Sequence, residues 1–448
     1  LSEHNGNLMT LQSGLDALSQ LGMTFQGQRS LYTALGWKKD LGPDDFLNKY
    51  LRQDLAARLV DIFPEYTWRQ PPRVTDDAEA DPLTPFEAAY EALATRLRLT
   101  HIWTTLDRLA GLGQYAVLLL GVADGRPLQT PITRARDVAY VSAYGQRSAE
   151  ITRLEEDPQQ PGFGRPLTYT IDLTRRTEGG LTTPRGRAPA TMILPVHASR
   201  VVHFAEMPLD GAVYGLPRLE RVFNRLDDLE KLLGGSAEMF WQGGRGNIVA
   251  ALRDGAAIPD DATKEELRRQ IDEWTHGLRQ WLRVSGIDVT RLPSSLASPK
   301  DAIEAQATII AAAAGVPQRI LMGSERGELA STQDQVAWES TIQARQKSLI
   351  EPMLIRATID RLIAWGVLPE PAGGVYEVVW PQGRVLDPLR QAEIAERMAR
   401  AVGTYVEGQG ELVMPVGEFR EHALGLHALP DAGVLDEELD REDEGEDT

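Results

Sequence analysis

The stretch from Pro299 to Trp365 constrains this chain most, because it reads as helix, tight loop, long helix. Its first part, Pro299 to Ala314, sets Ile303, Ile309 and Ile310 among seven alanines, a composition that forms helix readily and leaves a slim rod. Such a rod can pack close to a copy of itself. Gly315 and Pro317 stop it, since glycine tolerates a left-handed cap and proline cannot continue the ladder. A loop follows, Val316 to Leu329, with Gly323 and Gly327 as pivots and Arg319, Glu325, Arg326 and Glu328 as charges. Ser331 with Asp334 predicts the next helix start through a capping box in which aspartate replaces glutamate. Val336, Ile342, Leu349, Ile350, Met353, Leu354 and Ala357 then recur at roughly helical spacing, so one face is buried. Pro352 is expected to bend this helix rather than end it. Periodicity alone describes a helical hairpin with a surface loop.

Composition narrows the class. The 448 residues are 42% hydrophobic and 25% charged, which describes a globular chain of roughly two to four structural units. No apolar run approaches the length of a membrane span, and the polar amino end lacks the pattern of a signal peptide. With no cysteine, thiolate metal sites and thiol catalysis are excluded. A net charge of −18 weighs against a protein that grips nucleic acid by neutralising phosphates. Part of that charge is local: Asp436 to Thr448 carries nine carboxylates and one arginine. This tail has too little apolar surface to offset its ordering entropy, so disorder is expected there.

Along the chain, residues 1–42 read as an arm tied down by contacts. Phe46, Tyr50, Leu51, Leu55, Leu59 and Phe63 predict one amphipathic helix, entered through Pro43 and closed by Pro64. Pro85 opens a second, running to about Ala110. Tyr115 to Gly121 is an apolar run of strand length, and Asp137 to Ala143, Leu167 to Leu173 and Arg200 to Phe204 are shorter strands. Grouped helices and strands without βαβ alternation make this an α+β chain. Leu216 to Trp241 is helical, with a kink or break expected at Gly234-Gly235. Ile248 to Leu252 and Trp281 to Val284 read as strands, Asp261 to Leu278 as a charged helix, Val375 to Trp380 as a strand and Leu389 to Val402 as a helix.

Signatures of chemistry are sparse. The seven histidines are scattered, and neither His197 with His203 nor His422 with His427 is spaced for a shared metal. Gly243-Gly244-Arg245-Gly246 lacks the Gly-Lys-Ser/Thr of a phosphate loop and reads as a flexible joint. The aspartate pairs at 44-45, 76-77 and 260-261 stand where carboxylates cap helices. Arg245, Arg253, Arg268, Arg269, Arg279 and Arg283 lend residues 242–298 a basic component, although Asp and Glu are interleaved and a solvated face is the plain reading. Trp274 and Trp281 are two helical turns apart and suit a core or an interface.

The run from Gly315 through Pro317, Gln318, Arg319, Gly323, Ser324, Glu325, Arg326, Gly327 and Glu328 to Ser331 resembles a segment of portal proteins of tailed double-stranded DNA phages. Tyr50 to Ile62 followed by Trp68-Arg69, and Val196 to Val201 leading to Tyr214-Gly215, resemble the same family, and the likeness spans about Phe46 to Met398. It implies a portal fold assembled as a ring. That fold has an N-terminal arm (1–42), a wing (43–214), a descending stem helix (215–241), a small α/β clip (242–298) and a returning stem helix (299–315). A tunnel loop (316–330), a long helix with a wing return (331–386), a helical crown (387–435) and the acidic tail (436–448) complete it.

The resemblance further implies a dodecameric ring at one capsid vertex of the virion, assembled in the host cytoplasm, with no cofactor, metal or catalytic site and no membrane. Such a ring would conduct double-stranded DNA and would dock the terminase large subunit, the head-tail adaptor and the major capsid protein. Gln318, Arg319, Ser324, Glu325, Arg326, Gly327 and Glu328 would face the channel, and Arg253, Arg268, Arg269, Trp274 and Arg279 would dock partners. The alternatives are a metal-dependent enzyme acting on nucleic acid and a tail or baseplate ring that conducts nothing.

Overall fold

The computed structural model describes residues 30–77, 83–173, 193–211, 213–243, 247–252, 261–275, 287–292, 298–323, 328–381, 388–408, 414–415 and 419. Most of the expected arm, the strand expected at Trp281 to Val284 and the acidic tail lie outside these residues. The chain divides into two compact units, residues 1–381 and 382–448.

Helix α1 (Leu31–Leu35) is a short turn capped by Ser30 and Gly36. The apolar run Phe46 to Phe63, expected as one helix, forms two: α2 (Pro43–Arg52) and α3 (Asp54–Thr67), with Gln53 extended between them. Nor does Pro64 close α3. Proline removes the N–H that would reach the Val60 carbonyl, and Arg218 Nη1 donates to that oxygen at 2.6 Å instead, so the helix runs on to Thr67. After β1 (Arg73–Thr75), the second expected helix is also two, α4 (Pro85–Leu97) and α5 (Leu99–Leu112), because Arg98 turns the chain through the left-handed region at φ 52°.

Two antiparallel sheets follow. Strands β2 (Ala116–Val122) and β3 (Val138–Gly145) pair with each other. Strands β4 (Ala149–Leu154), β5 (Pro166–Asp172) and β6 (Ile193–His197) form a second sheet, and β7 (Val201–Phe204) returns to the first, in the order β3-β2-β7. Strand β2 explains its own continuous apolar run. Ala116, Leu118 and Leu120 face a core built with Trp103, Leu106, Ile350, Leu354 and Ile359, while Tyr115, Val117 and Leu119 face Tyr169, Ile171 and Val196 of the second sheet. Both faces of the strand are therefore buried.

Helix α6 (Phe223–Gly243) starts later than the expected Leu216, because Leu216 and Arg218 are held outside it by backbone bonds to Glu206 and Gly111, both 2.9 Å. It passes Gly234-Gly235 without interruption. Strands β8 (Asn247–Leu252) and β9 (Ile287–Leu292) pair antiparallel and enclose helix α7 (Asp261–Thr275) in sequence. The slim helix α8 (Lys300–Ala314) ends at Gly315, φ 67°, as its sequence requires. It packs against α6 through Ile303, Ile310 and Ala311, in a core shared with Leu219, Leu226, Leu229 and the inner faces of α2 and α3.

The loop after α8 is partly helical, since α9 (Gln318–Met322) forms within it. Helix α10 (Glu328–Arg345) begins before the expected Ser331. The helical path continues as a π-helical segment, Gln346–Arg356, which carries Pro352, and then as α11 (Ala357–Ala364). The expected tolerance of Pro352 has a local cause. The wider turn of a π-helix accommodates the proline ring without ending the rod. Strand β10 (Glu377–Val379) pairs with β1. In the second unit, α12 (Pro388–Glu407) carries Tyr405, whose ring stacks on Phe419 with centroids 4.0 Å apart.

Candidate functional site

An ionic joint lies at the root of the loop-bearing hairpin. Helix α5 is apolar on its inner face, with Leu99, Trp103, Leu106 and Ala110, yet Asp107 sits on that face fully buried. An isolated carboxylate there would be prohibitively costly. Arg345, on the buried stripe of α10 after Trp338 and Ile342, donates to it from Nη2 at 2.6 Å and Nη1 at 3.0 Å. Arg218 Nη2 donates to the same Oδ1 at 2.7 Å, and Trp68 Nε1 to Oδ2 at 3.0 Å. Glu206, just past β7, completes the set by accepting from Arg345 Nε at 3.0 Å and Arg218 Nε at 2.8 Å. Thr67 Oγ1 and the Val60 carbonyl take the remaining guanidinium bonds.

Two carboxylates thus meet two guanidiniums in a nearly dry site. Burial would push Asp107 up, but Arg345 and Arg218, by charge and by hydrogen bonding, hold it below the ordinary carboxylate range. Arg345 is held above its usual value by Asp107 and Glu206 against the opposing effect of burial. Asp107 and Arg345 are thereby each held in the charged form, so their contact suits a rigid joint rather than proton transfer. It ties α5, the segment after β7, the entrance to α6 and the end of α10 to one point. Gly111 makes room for it, since a Cβ there would stand 2.6 Å from Arg218 Nη1.

Beyond the joint, the first residues of the loop pack on both flanking helices. Gln318 opens α9, and its Oε1 accepts from Thr308 of α8 at 3.1 Å. Arg319 approaches Asp334 of α10 at 3.9 Å, while its Nη1 is buried without a partner among the described residues. Glu328 begins α10. Ser324, Glu325, Arg326 and Gly327 lie outside the described residues.

Of the expected docking residues, Arg268 and Arg269 stand exposed on α7 and face acids of their own helix, Glu265 at 3.6 Å and Glu266 at 2.5 Å. Arg253, Arg279 and the side chain of Trp274 lie outside the described residues. No group of three or more histidine, aspartate or glutamate side chains is arranged to hold a metal among the described residues, and no described helix is long and apolar enough to cross a membrane.

Sequence reasoning missed the joint, although Asp107 and Arg345 each left a mark: a charge on an otherwise apolar helical stripe.

A chain from the virion of the native gene transfer agent (GTA) particle is similar, with a TM-score of 0.51 at 14% identity, covering 87% of this chain and 95% of that one. One from the neck of the native GTA particle, computed with C12 symmetry, is similar with a TM-score of 0.50 at 16% identity, covering 88% and 96%. At such identities the likeness is one of fold. No curated protein matches. A family model described as phage portal protein matches residues 45–404, most of the chain and with it every residue of the joint. This protein belongs to the phage portal protein family.

Proposed function

We propose that this chain closes into a cyclic ring, a dodecamer, at one vertex of a capsid, and that the ring is the channel through which the genome enters and leaves. The family is a structural assembly rather than an enzyme class. The observation that carries the ring is the pair of packed helices α6 and α8. They bury a shared core, yet display large apolar side chains outward, among them Phe240 (48% exposed) and Ile309 (46%). A slim alanine-rich rod with an apolar outer face is built to pack beside a second copy, and contacts of this heterologous kind generate rings.

In this reading α6 and α8 are the stem, β8, β9 and α7 the clip, and residues 316–330 the tunnel loop held inward by the ionic joint. Residues 43–214 form the wing and α12 belongs to the crown. The acidic chain repels the duplex, which lets DNA slide without sticking. Arg319 and Arg326 make weak, passing phosphate contacts. The clip, with Arg253, Arg268, Arg269, Trp274 and Arg279, docks the terminase large subunit and the head-tail adaptor, and the outer wing meets the major capsid protein.

Particles assembled with R319E/R326E test the channel assignment. Packaged DNA should fall several-fold with ring formation intact. Unchanged DNA yield would remove the loop from the mechanism.

A further inference from the structure

The turn between β4 and β5 displays an aromatic side chain on a rigid support. Phe163 is 58% exposed, a large apolar surface left in water. The backbone beneath it is nevertheless well tied. Gln160 N–H donates to the Asp157 carbonyl, Phe163 N–H to Gln160, Arg165 N–H to Gly162 and Gly164 N–H to Glu155, all at 2.8 to 3.0 Å. Gly164 adopts φ 75°, and the Asp157 carboxylate accepts from Gln159 N–H at 3.0 Å. Glu155, Glu156 and Asp157 make the turn acidic.

At the other end of β4 lies an apolar cavity of about 280 Å³, lined by Pro43, Leu47, Thr105, Leu109, Leu112 and Gln146 among others. Its walls are fixed. Gln146 exchanges hydrogen bonds with Gln114 at 2.9 and 3.0 Å, and Gly113 and Gly145 allow Gln146 and Leu109 to pack against the backbone. Arg147, ion-paired with Asp44 at 2.6 Å, brings positive charge to the rim.

We infer that Phe163 of one copy inserts into the Leu47, Leu109 and Leu112 cavity of the next copy in the ring, with the acidic turn facing Arg147. The cavity lining includes Gln146, Arg147 and Ser148, which lead into β4 at Ala149, whereas the Phe163 turn follows β4 at Leu154. Six strand residues hold the two apart by roughly 20 Å, so a chain cannot fill its own cavity with its own phenyl ring. One knob and one pocket at opposite ends of a strand make a head-to-tail contact, the kind that closes rings. A preformed pocket and a pre-ordered knob lose little freedom on joining. The inference rests on the ring reading above.

The test uses the whole 448-residue chain, whose lack of cysteine makes introduced thiols unique. In G162C/T105C, which keeps the Phe163 ring, a short bismaleimide should give a ladder of covalent multimers beyond the dimer, while each single variant stops at dimers. F163E should raise the concentration for half-assembly at least about tenfold, with F163L changing it far less. Rings that form normally in F163E and give no ladder in the double variant would overturn the knob and pocket and leave the ring standing. A wild-type chain that stays single at high concentration would overturn both.

Discussion

Arg345 donates two hydrogen bonds to Asp107, at 2.6 and 3.0 Å, across 238 residues of sequence, and Asp107 reaches no solvent. The contact joins the end of the loop-bearing helix α10 to helix α5 beneath the first sheet. Because Arg218 and Glu206 close the same network, the entrance to α6 is locked to that point as well.

Replacing Arg345 by methionine leaves a buried carboxylate short of one of its two cations. Loss of about 3–5 kcal/mol is expected, as for other broken buried pairs. Denaturant unfolding of R345M against wild type measures it. A loss below about 1 kcal/mol would mean that water reaches the joint.

His203 gives a pH signature. Its Nε2 lies 2.7 Å from the Val213 carbonyl and its Nδ1 3.0 Å from Tyr169 Oη, with the Tyr115 ring alongside. Burial pushes its pKa below the usual imidazole value, against a smaller upward pull from Val213. A depressed folded pKa adds stability that is fully present above the unfolded value of about 6.5 and is lost as pH falls through the folded value. Thermal midpoints of wild type should therefore drop more than those of H203Q between pH 7.5 and 5.5. Parallel curves would count against a neutral, buried His203.

Two glycines should respond unequally to alanine. At Gly215 a Cβ would stand 2.0 Å from the Glu206 carbonyl oxygen, a backbone atom that cannot step aside without moving the joint. G215A should cost about 3 kcal/mol. At Gly121 the clash is with the ring of Tyr140, which is partly exposed and can swing outward, so G121A should cost less than about 1 kcal/mol. Equal losses would contradict this account of the packing.

Strands β2, β3, β5, β7, β8 and β10 and the α8 hairpin were legible in the sequence because their signals are local, whereas β1, β4 and β6 were not read. Tyr115 to Gly121 could be little else than a buried strand, and Gly315 stops α8 where its left-handed φ is needed. Helix boundaries were less legible where a distant side chain decides them. Pro64 reads as a stop until Arg218, far along the chain, takes up the Val60 carbonyl. Arg98 turns the chain left-handed without a glycine to announce it. Strand β9 escaped notice because Ile287 to Leu292 alternates only briefly, and its pairing with β8 bridges residues far apart in sequence. Asp107 and Arg345 went unremarked, since spacing shows which residues share a face but not which faces will meet.

The central claim is the closed ring, and the mass of the purified 448-residue chain tests it most directly. Light scattering, with class-averaged views down the long axis, should show a single closed species near twelve copies around an open centre. A chain that remains at its single-copy mass of 49.5 kDa at high concentration, or an open polymer without a central hole, would contradict it.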